Sequence, residues 1–363
     1  MSGSSLDGLD IAYVQFHENA GKWEFDIKAV ECCEYTPDWK HKLESSIQLN
    51  ALNYQLLDVA FGHWTGEQVN AFINKHQLQY QVQLIASHGH TTFHLPREKL
   101  TAQLGNGAAI AAQTGLPVIT DLRSMDVALG GQGAPIVPVG DKLLFNDFDF
   151  CLNIGGIANI SYHQNETYLS FDICPANRVL NLLANEAGYE LDDGGQMAEA
   201  GSLNASLLHM LNDLSYYKQD FPKSLSNSFG NDVVYPLIKQ ETGNHNIYDA
   251  LHTYTVHIAE QVRNAALTID AKTDHAGSPV PRKMLVTGGG AFNRYLVKKI
   301  QERLAPLLIE IVLPDENIIR YKEALIMALI GVLRWREENN CLASVTGAAR
   351  NNIGGAVWMG AEA

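Results

Sequence analysis

Gly3, Ser4, Ser5, Leu6, Asp7, Gly8, Leu9 and Asp10 follow one another near the start of the chain. Glycines let backbone N–H groups come close to an anion, and neighbouring hydroxyls add donors. Two further glycine turns recur: Asn153-Ile154-Gly155-Gly156-Ile157-Ala158-Asn159 in mid-chain and Thr287-Gly288-Gly289-Gly290-Ala291-Phe292-Asn293 towards the end. Each sits beside a short apolar run. Taken singly, each also reads as a hairpin or strand-to-helix turn whose residues are chosen for shape. Three of them, spread over both halves, point to a nucleotide held in a cleft between two lobes. Asp172 adds a different chemistry. It follows a strand pattern over residues 168–171, where a carboxylate can take a proton from a reacting group. It can equally cap the helix expected after Pro175.

The elements that must position these residues alternate along the chain. Residues 9–16 and 23–35 read as strands joined by a turn at 19–22. Residues 38–49 and 55–76 have helical patterns, the second interrupted by Thr65 and Gly66. Residues 82–86 form a short buried strand, 107–114 an Ala-rich helix stopped by Gly115, and 116–120 a strand delivering Asp121 and Arg123. The second half repeats the plan: a hairpin of 150–154 with 160–162, a strand at 168–171, helices at 177–187 and 248–268, strands at 283–286 and 308–313, and a buried helix at 322–337. Strands alternating with helices imply a largely parallel sheet, with ligands at the carboxyl ends of its strands. Residues 130–135 look like the crossing between lobes.

Bulk properties narrow the classes. A chain of 363 residues is too long for one ordinary core, so two lobes are expected. Net charge is −14, which argues against non-specific nucleic-acid binding. No apolar run reaches the roughly 18 residues of a membrane span, and no basic-then-apolar signal opens the chain, so the expectation is a cytoplasmic protein without a membrane partner. Five cysteines, two adjacent and none in a C-x-x-C pair, read as buried or half-buried free thiols. The histidines show no H-E-x-x-H spacing, so no structural zinc is expected.

The residues also resemble a known family. In order along the chain, MSGSSLDGLD (1–10), ASHGHTTFHLP (86–96), TGLPVITDLRSMDVALGGQGAPIVP (114–138), LNIGGIANIS (152–161), FDICPANRVLN (171–181), FPKSL (221–225), LVTGGGAFN (285–293) and KEALIMALIG (322–331) are similar to segments of the anhydro-N-acetylmuramic acid kinases, within the sugar kinase, actin and heat-shock ATPase superfamily. The GGQGAP block and the SHGH turn are not general ATPase features, which makes the likeness specific. It implies an α/β, two-lobed actin-like ATPase (ribonuclease H-like) fold with a central cleft. The first lobe would take residues 1–128 and about 345–363, the second about 129–344. Pivots are expected at 130–133 and 344–347. The implied reaction uses ATP and Mg²⁺ on the bicyclic sugar 1,6-anhydro-N-acetylmuramic acid, released in cell-wall turnover. The anhydro ring is hydrolysed and O6 phosphorylated, giving N-acetylmuramic acid 6-phosphate.

The resemblance also implies residue roles. Asp172 would be the general base. Gly3–Asp10 (Gly3, Ser4, Ser5, Leu6, Asp7, Gly8, Leu9, Asp10) would hold the β- and γ-phosphates, with Asp7 and Asp10 holding Mg²⁺ through waters. Asn153, Gly155 and Gly156 would form the second phosphate turn, and Gly288, Gly289 and Gly290 would approach the adenosine. His88, Thr91, Arg123, Asp126 and Glu323 would serve the sugar, Arg123 by a two-pronged grip on its lactyl carboxylate. Each has a plainer reading: an ion pair of Arg123 with Asp121 or Asp126, a hydrogen-bonded His88, and a Glu323 placed near a helix N-terminus. The chain carries Asp172-Ile173-Cys174-Pro175 where the family pattern has Asp-Thr-Gly-Pro, and Cys174 has no neighbouring His to activate it as a nucleophile. Relatives usually carry a few apolar residues before the position of Met1, forming a strand that leads into the first turn. Family members commonly dimerise, so a homodimer is among the expectations. Rival readings are an amino-sugar kinase without ring hydrolysis, a glycoside hydrolase that needs no ATP, and a non-catalytic nucleotide sensor.

Overall fold

The computed structural model describes residues 1–3, 6–164, 167–221, 223–226, 228–242, 246–273 and 280–360. Its strands are β1 (Gly8–Asn19), β2 (Lys22–Glu34), β3 (Ile85–Ala86), β4 (His90–Leu95), β5 (Leu100–Leu104), β6 (Val118–Thr120), β7 (Phe150–Ile154), β8 (Ile157–Gln164), β9 (Thr167–Pro175), β10 (Arg282–Thr287), β11 (Ile309–Val312) and β12 (Ala356–Trp358). The chain divides into two compact units, Met1–Leu144 with Tyr321–Ala363, and Phe145–Arg320.

The second unit carries one five-stranded sheet in the order β11-β10-β7-β8-β9. β8 is antiparallel to β7 and β9, while β10 and β11 run parallel to β7. Three meandering strands followed by two parallel crossovers on the other side of the first strand is the ribonuclease H-like order, as expected. Phe150, Leu152 and Ile154 are fully buried at alternate positions of β7. They join a core with Leu251, Tyr254, Ile258 and Val262 of the helix Ile247–Lys272, whose three- and four-residue spacing turns one stripe inward. Each such side chain contributes about 1.5–3 kcal/mol on burial. Arg282 at the start of β10 is tied to Asp270 of that helix (Nη2 to Oδ2, 2.8 Å).

In the first unit, β1 and β2 form a long antiparallel ribbon, and β3 is parallel to β6, with β12 antiparallel on the far side of β6. The turn at Asn19–Lys22 falls where the sequence places it. A cavity of about 450 Å³ in the first unit is lined by β1, by residues 81–87, by Met1 and by side chains of two helices. The amino group of Met1 donates to Asp10 O (2.7 Å) and its carbonyl accepts from Asp10 N (2.9 Å).

Several sequence expectations are corrected. Thr65 and Gly66 do not interrupt their helix, which runs unbroken over Ala51–Lys75 from an Asn50 cap. A Cβ on Gly66 would come within 2.7 Å of the Gln113 side chain, so the glycine permits the helix Gly107–Thr114 to pack closely rather than breaking its own. Residues 130–133 and 344–347 lie inside the first unit, where Gln132 N donates to Thr346 O (2.8 Å). The unit boundaries fall at 144/145 and 320/321 rather than near 128 and 345. One reason is a buried ion pair between Lys322 Nζ and Asp141 Oδ1 (2.7 Å), which ties the helix Pro138–Leu144 to the part of the helix Glu316–Trp335 that belongs to the first unit. The free cysteines are buried or half-buried except Cys32, which is exposed on the β1–β2 ribbon opposite Asp10. No described helix is long and apolar enough to cross a membrane.

Candidate active site

In the second unit, strand pairing sets the chemistry in a line. Thr287 of β10 is opposite Asn153 of β7, Asn153 is opposite Asn159 of β8, and Asn159 is opposite Asp172 of β9. Directly opposed residues point to one face, and neighbouring strands lie about 4.8 Å apart, so Asp172 is about 10 Å from Asn153. The two glycine turns of this unit therefore meet at one end of the sheet. Gly288 has φ +80°, and a Cβ there would lie 2.6 Å from Asn153 Oδ1 and 2.8 Å from Ile154 O. Gly288→Ala is expected to lower unfolding free energy by about 2 kcal/mol or more, through left-handed strain plus a clash with rigid backbone. Urea denaturation checks this; a change under about 0.5 kcal/mol, the size of an ordinary surface substitution, would count against the close approach.

Asp172 does not stand past a strand end. β9 continues through it to Pro175, and the register slips between Ala158 and Asn159, where Ile173 is the extra residue. Such a bulge re-aims side chains. The carboxylate does not cap the following helix either: that helix, Asn177–Glu186, begins from Ala176 with no side-chain cap. Instead Leu225 N donates to Asp172 Oδ2 (2.8 Å), Asp172 N donates to Lys223 O (3.2 Å), and Tyr216 OH donates to Asp172 O (2.6 Å). The FPKSL segment thus braces the aspartate, a role the sequence left open. Burial pushes the Asp172 pKa up, and the Leu225 bond opposes that rise. Cys174 is fully buried and desolvation raises its pKa, so the thiol stays protonated and unreactive.

In the first unit, His88 is buried at the turn before β4. Arg123 Nε donates to His88 Nε2 (2.9 Å), so His88 Nδ1 carries the proton and donates to Gly89 O (2.9 Å). Burial, helped by the Arg123 charge, lowers the His88 pKa to about 3, and the ring is neutral. Arg123 Nη1 donates to Gly133 O (3.2 Å). Among the described residues Arg123 has no ion pair with Asp121 or Asp126; Ser124 Oγ donates to Asp121 instead. Desolvation lowers the Arg123 pKa and the Glu323 charge raises it. Glu323 keeps exposed surface on the helix Glu316–Trp335, and desolvation of its carboxyl pushes its pKa up against the pull of Arg123. Arg123, His88 and Glu323 therefore form one electrostatic group. Thr91 lies on β4 opposite Gln103, beside a register shift.

Asp126 does not join that group. It is fully buried, Gly133 N donates to its Oδ2 (2.8 Å), and Cys341 Sγ (3.2 Å), Thr346 Oγ1 (2.8 Å) and Asn352 Nδ2 (2.9 Å) donate to its Oδ1. Its oxygens are spent on holding the 130–133 loop to the C-terminal segment, which leaves nothing to present to a sugar.

In the N-terminal turn, Leu6 and Leu9 bury their side chains in a core with Tyr35, Leu43, Phe61 and Leu104. Leu6 takes a positive φ of 57°. Ser4 and Ser5 lie outside the described residues. Asp7 is exposed and Asp10 half-buried. Desolvation raises the Asp10 pKa, a bond to Cys32 opposes it, and the Asp7 charge adds to it. Two mutually repelling carboxylates on one turn suit a hard cation that keeps most of its waters. Among the described residues no group of three or more His, Cys, Asp or Glu side chains surrounds a common point.

The family model for anhydro-N-acetylmuramic acid kinase matches residues 1–360. The chain belongs to the anhydro-N-acetylmuramic acid kinase family. Proteins carrying that name from Hydrogenovibrio crunogenus, Sulfurovum sp. and Francisella tularensis subsp. novicida are 30%, 31% and 31% identical to it. These similarities cover 99%, 99% and 98% of this chain and 96%, 98% and 97% of theirs. The enzyme is thus a kinase, and its family kinship spans both units rather than one.

Proposed function

We propose that this enzyme opens 1,6-anhydro-N-acetylmuramic acid with water and phosphorylates the freed O6 from ATP, giving N-acetylmuramic acid 6-phosphate and ADP. The observation that supports the reading best is the Asp172 carboxylate. Its Oδ2 is fixed by a backbone donor, and it lies in one polar row with the glycine turn at Asn153–Ile154. Oδ1 takes a proton from water while the water oxygen bonds to the anomeric carbon. The C1–O6 bond breaks, O6 bonds to the γ-phosphorus, and ADP leaves. Part-burial keeps the carboxylate basic enough to accept that proton. Arg123, held by His88 and Gly133 O, keeps guanidinium N–H groups for the lactyl carboxylate of the sugar. The turn 3–10 and the turn at Gly155–Gly156 grip phosphates, and Gly288–Gly290 passes the nucleoside. Asp7 and Asp10 would hold Mg²⁺ through waters, and the ion when bound neutralises phosphate charge. A reaction that consumes ATP belongs in the cytoplasm, where ATP is.

The test is incubation with ATP, Mg²⁺ and the purified anhydro sugar in ¹⁸O-water, read by mass spectrometry. The expected product gains one phosphoryl group and one labelled oxygen at C1. Phosphorylation without label would instead support an amino-sugar kinase that performs no ring hydrolysis, and turnover without ATP would support a hydrolase.

A further inference from the structure

Arg178 is the second residue of the helix Asn177–Glu186, whose start is hydrogen-bonded to the second glycine turn. Its side chain lies along that turn: a Cβ placed on Gly156 would be 3.7 Å from Arg178 Nε and 3.9 Å from Nη2. Its stem rests against Gly230, where a Cβ would be 3.6 Å from Arg178 Cδ. The Nε is out of contact with water and, among the described residues, has no hydrogen-bond partner. The chain holds 40 acidic residues, yet among the described residues none forms an ion pair with Arg178. A desolvated guanidinium N–H with no acceptor costs about 1–3 kcal/mol, a cost that an arriving anion removes.

The backbone around it sharpens the point. Asn177 N donates to Gly155 O (3.1 Å) and Ala176 N donates to Gly156 O (2.8 Å). The amides of Ala176 and Asn177 are therefore spent on fixing the turn and are not available to a phosphate. A turn whose carbonyls are held in this way keeps one shape, and the positive charge beside it must come from a side chain. Arg178 supplies it, in the planar forked form that suits phosphate oxygens.

We propose that Arg178 contacts the β- or γ-phosphate of the nucleotide held by the Gly155–Gly156 turn. The inference rests on the kinase reading above and adds a residue to its phosphate grip. Arg178 acts on binding: it pairs with phosphate oxygens and transfers no proton.

Equilibrium binding of ATP, ADP and AMP to the full chain tests it, comparing the wild type with Arg178→Gln and Arg178→Lys. The wild type binds ATP under these conditions, or the kinase reading itself fails and Arg178 is not at issue. Given that, Arg178→Gln is expected to weaken ATP and ADP by about tenfold or more, the loss of one charge-assisted contact, and to leave AMP unchanged. Arg178→Lys is expected to recover part of the loss. The salt dependence of ATP affinity should also flatten in Arg178→Gln. Equal weakening of all three nucleotides, together with a lowered melting midpoint, would make Arg178 a structural brace and overturn the proposal. So would unchanged ATP affinity in Arg178→Gln.

Discussion

Asp172→Asn is expected to lower kcat by at least roughly 10²-fold while ATP affinity is retained. The amide keeps the shape of the side chain and an acceptor for Leu225 N–H, so the brace from Lys223 and Leu225 survives. What it loses is the capacity to take a proton. Pre-steady-state quench of ADP formation, beside a direct nucleotide titration, separates the two effects. A nucleotide sensor would show no loss in its binding function, and unchanged product formation would remove Asp172 as the base. The same carboxylate sets a pH signature. Desolvation raises its pKa, so the active ionised form is lost as pH falls through a value above that of an ordinary aspartate. The acid limb of kcat/KM should therefore lie higher than for an exposed aspartate. Leu225 N–H favours the ionised form, so any change that frees that bond moves the limb further up.

Asp126→Ala should destabilise the first unit by about 3–5 kcal/mol. Four donors converge on this buried carboxylate from Gly133, Cys341, Thr346 and Asn352. Removing it strands them in a place water does not reach, and each orphaned donor costs about 1–3 kcal/mol before relaxation. Urea denaturation of the full chain reads the loss. A residue that touched the sugar would behave otherwise, raising KM and leaving the unfolding midpoint where it was; that outcome would return Asp126 to the substrate site.

The hairpin β1–β2 was legible because alternation along a two-stranded ribbon is a local property, and its turn carries Gly21. The long helix Ile247–Lys272 was legible for the same kind of reason, an apolar stripe of helical period. Thr65 and Gly66 misled because a glycine placed for close helix packing looks, in sequence, like one placed to stop a helix. The hairpin β4–β5 went unread because its strands follow a polar SHGH turn and carry no strong alternation. Asp126 and Arg123 stand three residues apart, and only the fold turns one inward to a four-donor knot and leaves the other with His88.

By itself, the sequence determined which residue types are available: three glycine turns, a carboxylate near a strand end, an arginine between two aspartates, and a likeness that ties them to one family. These are properties of composition and spacing, which survive whatever the chain does in space. The tertiary structure decided which of them meet. Strand pairing set Thr287 opposite Asn153, 134 positions away in the chain, and carried the row on through Asn159 to Asp172, and only backbone hydrogen bonds between strands can set such a register. Burial then decided protonation, because desolvation depends on what surrounds a group and not on its neighbours along the chain.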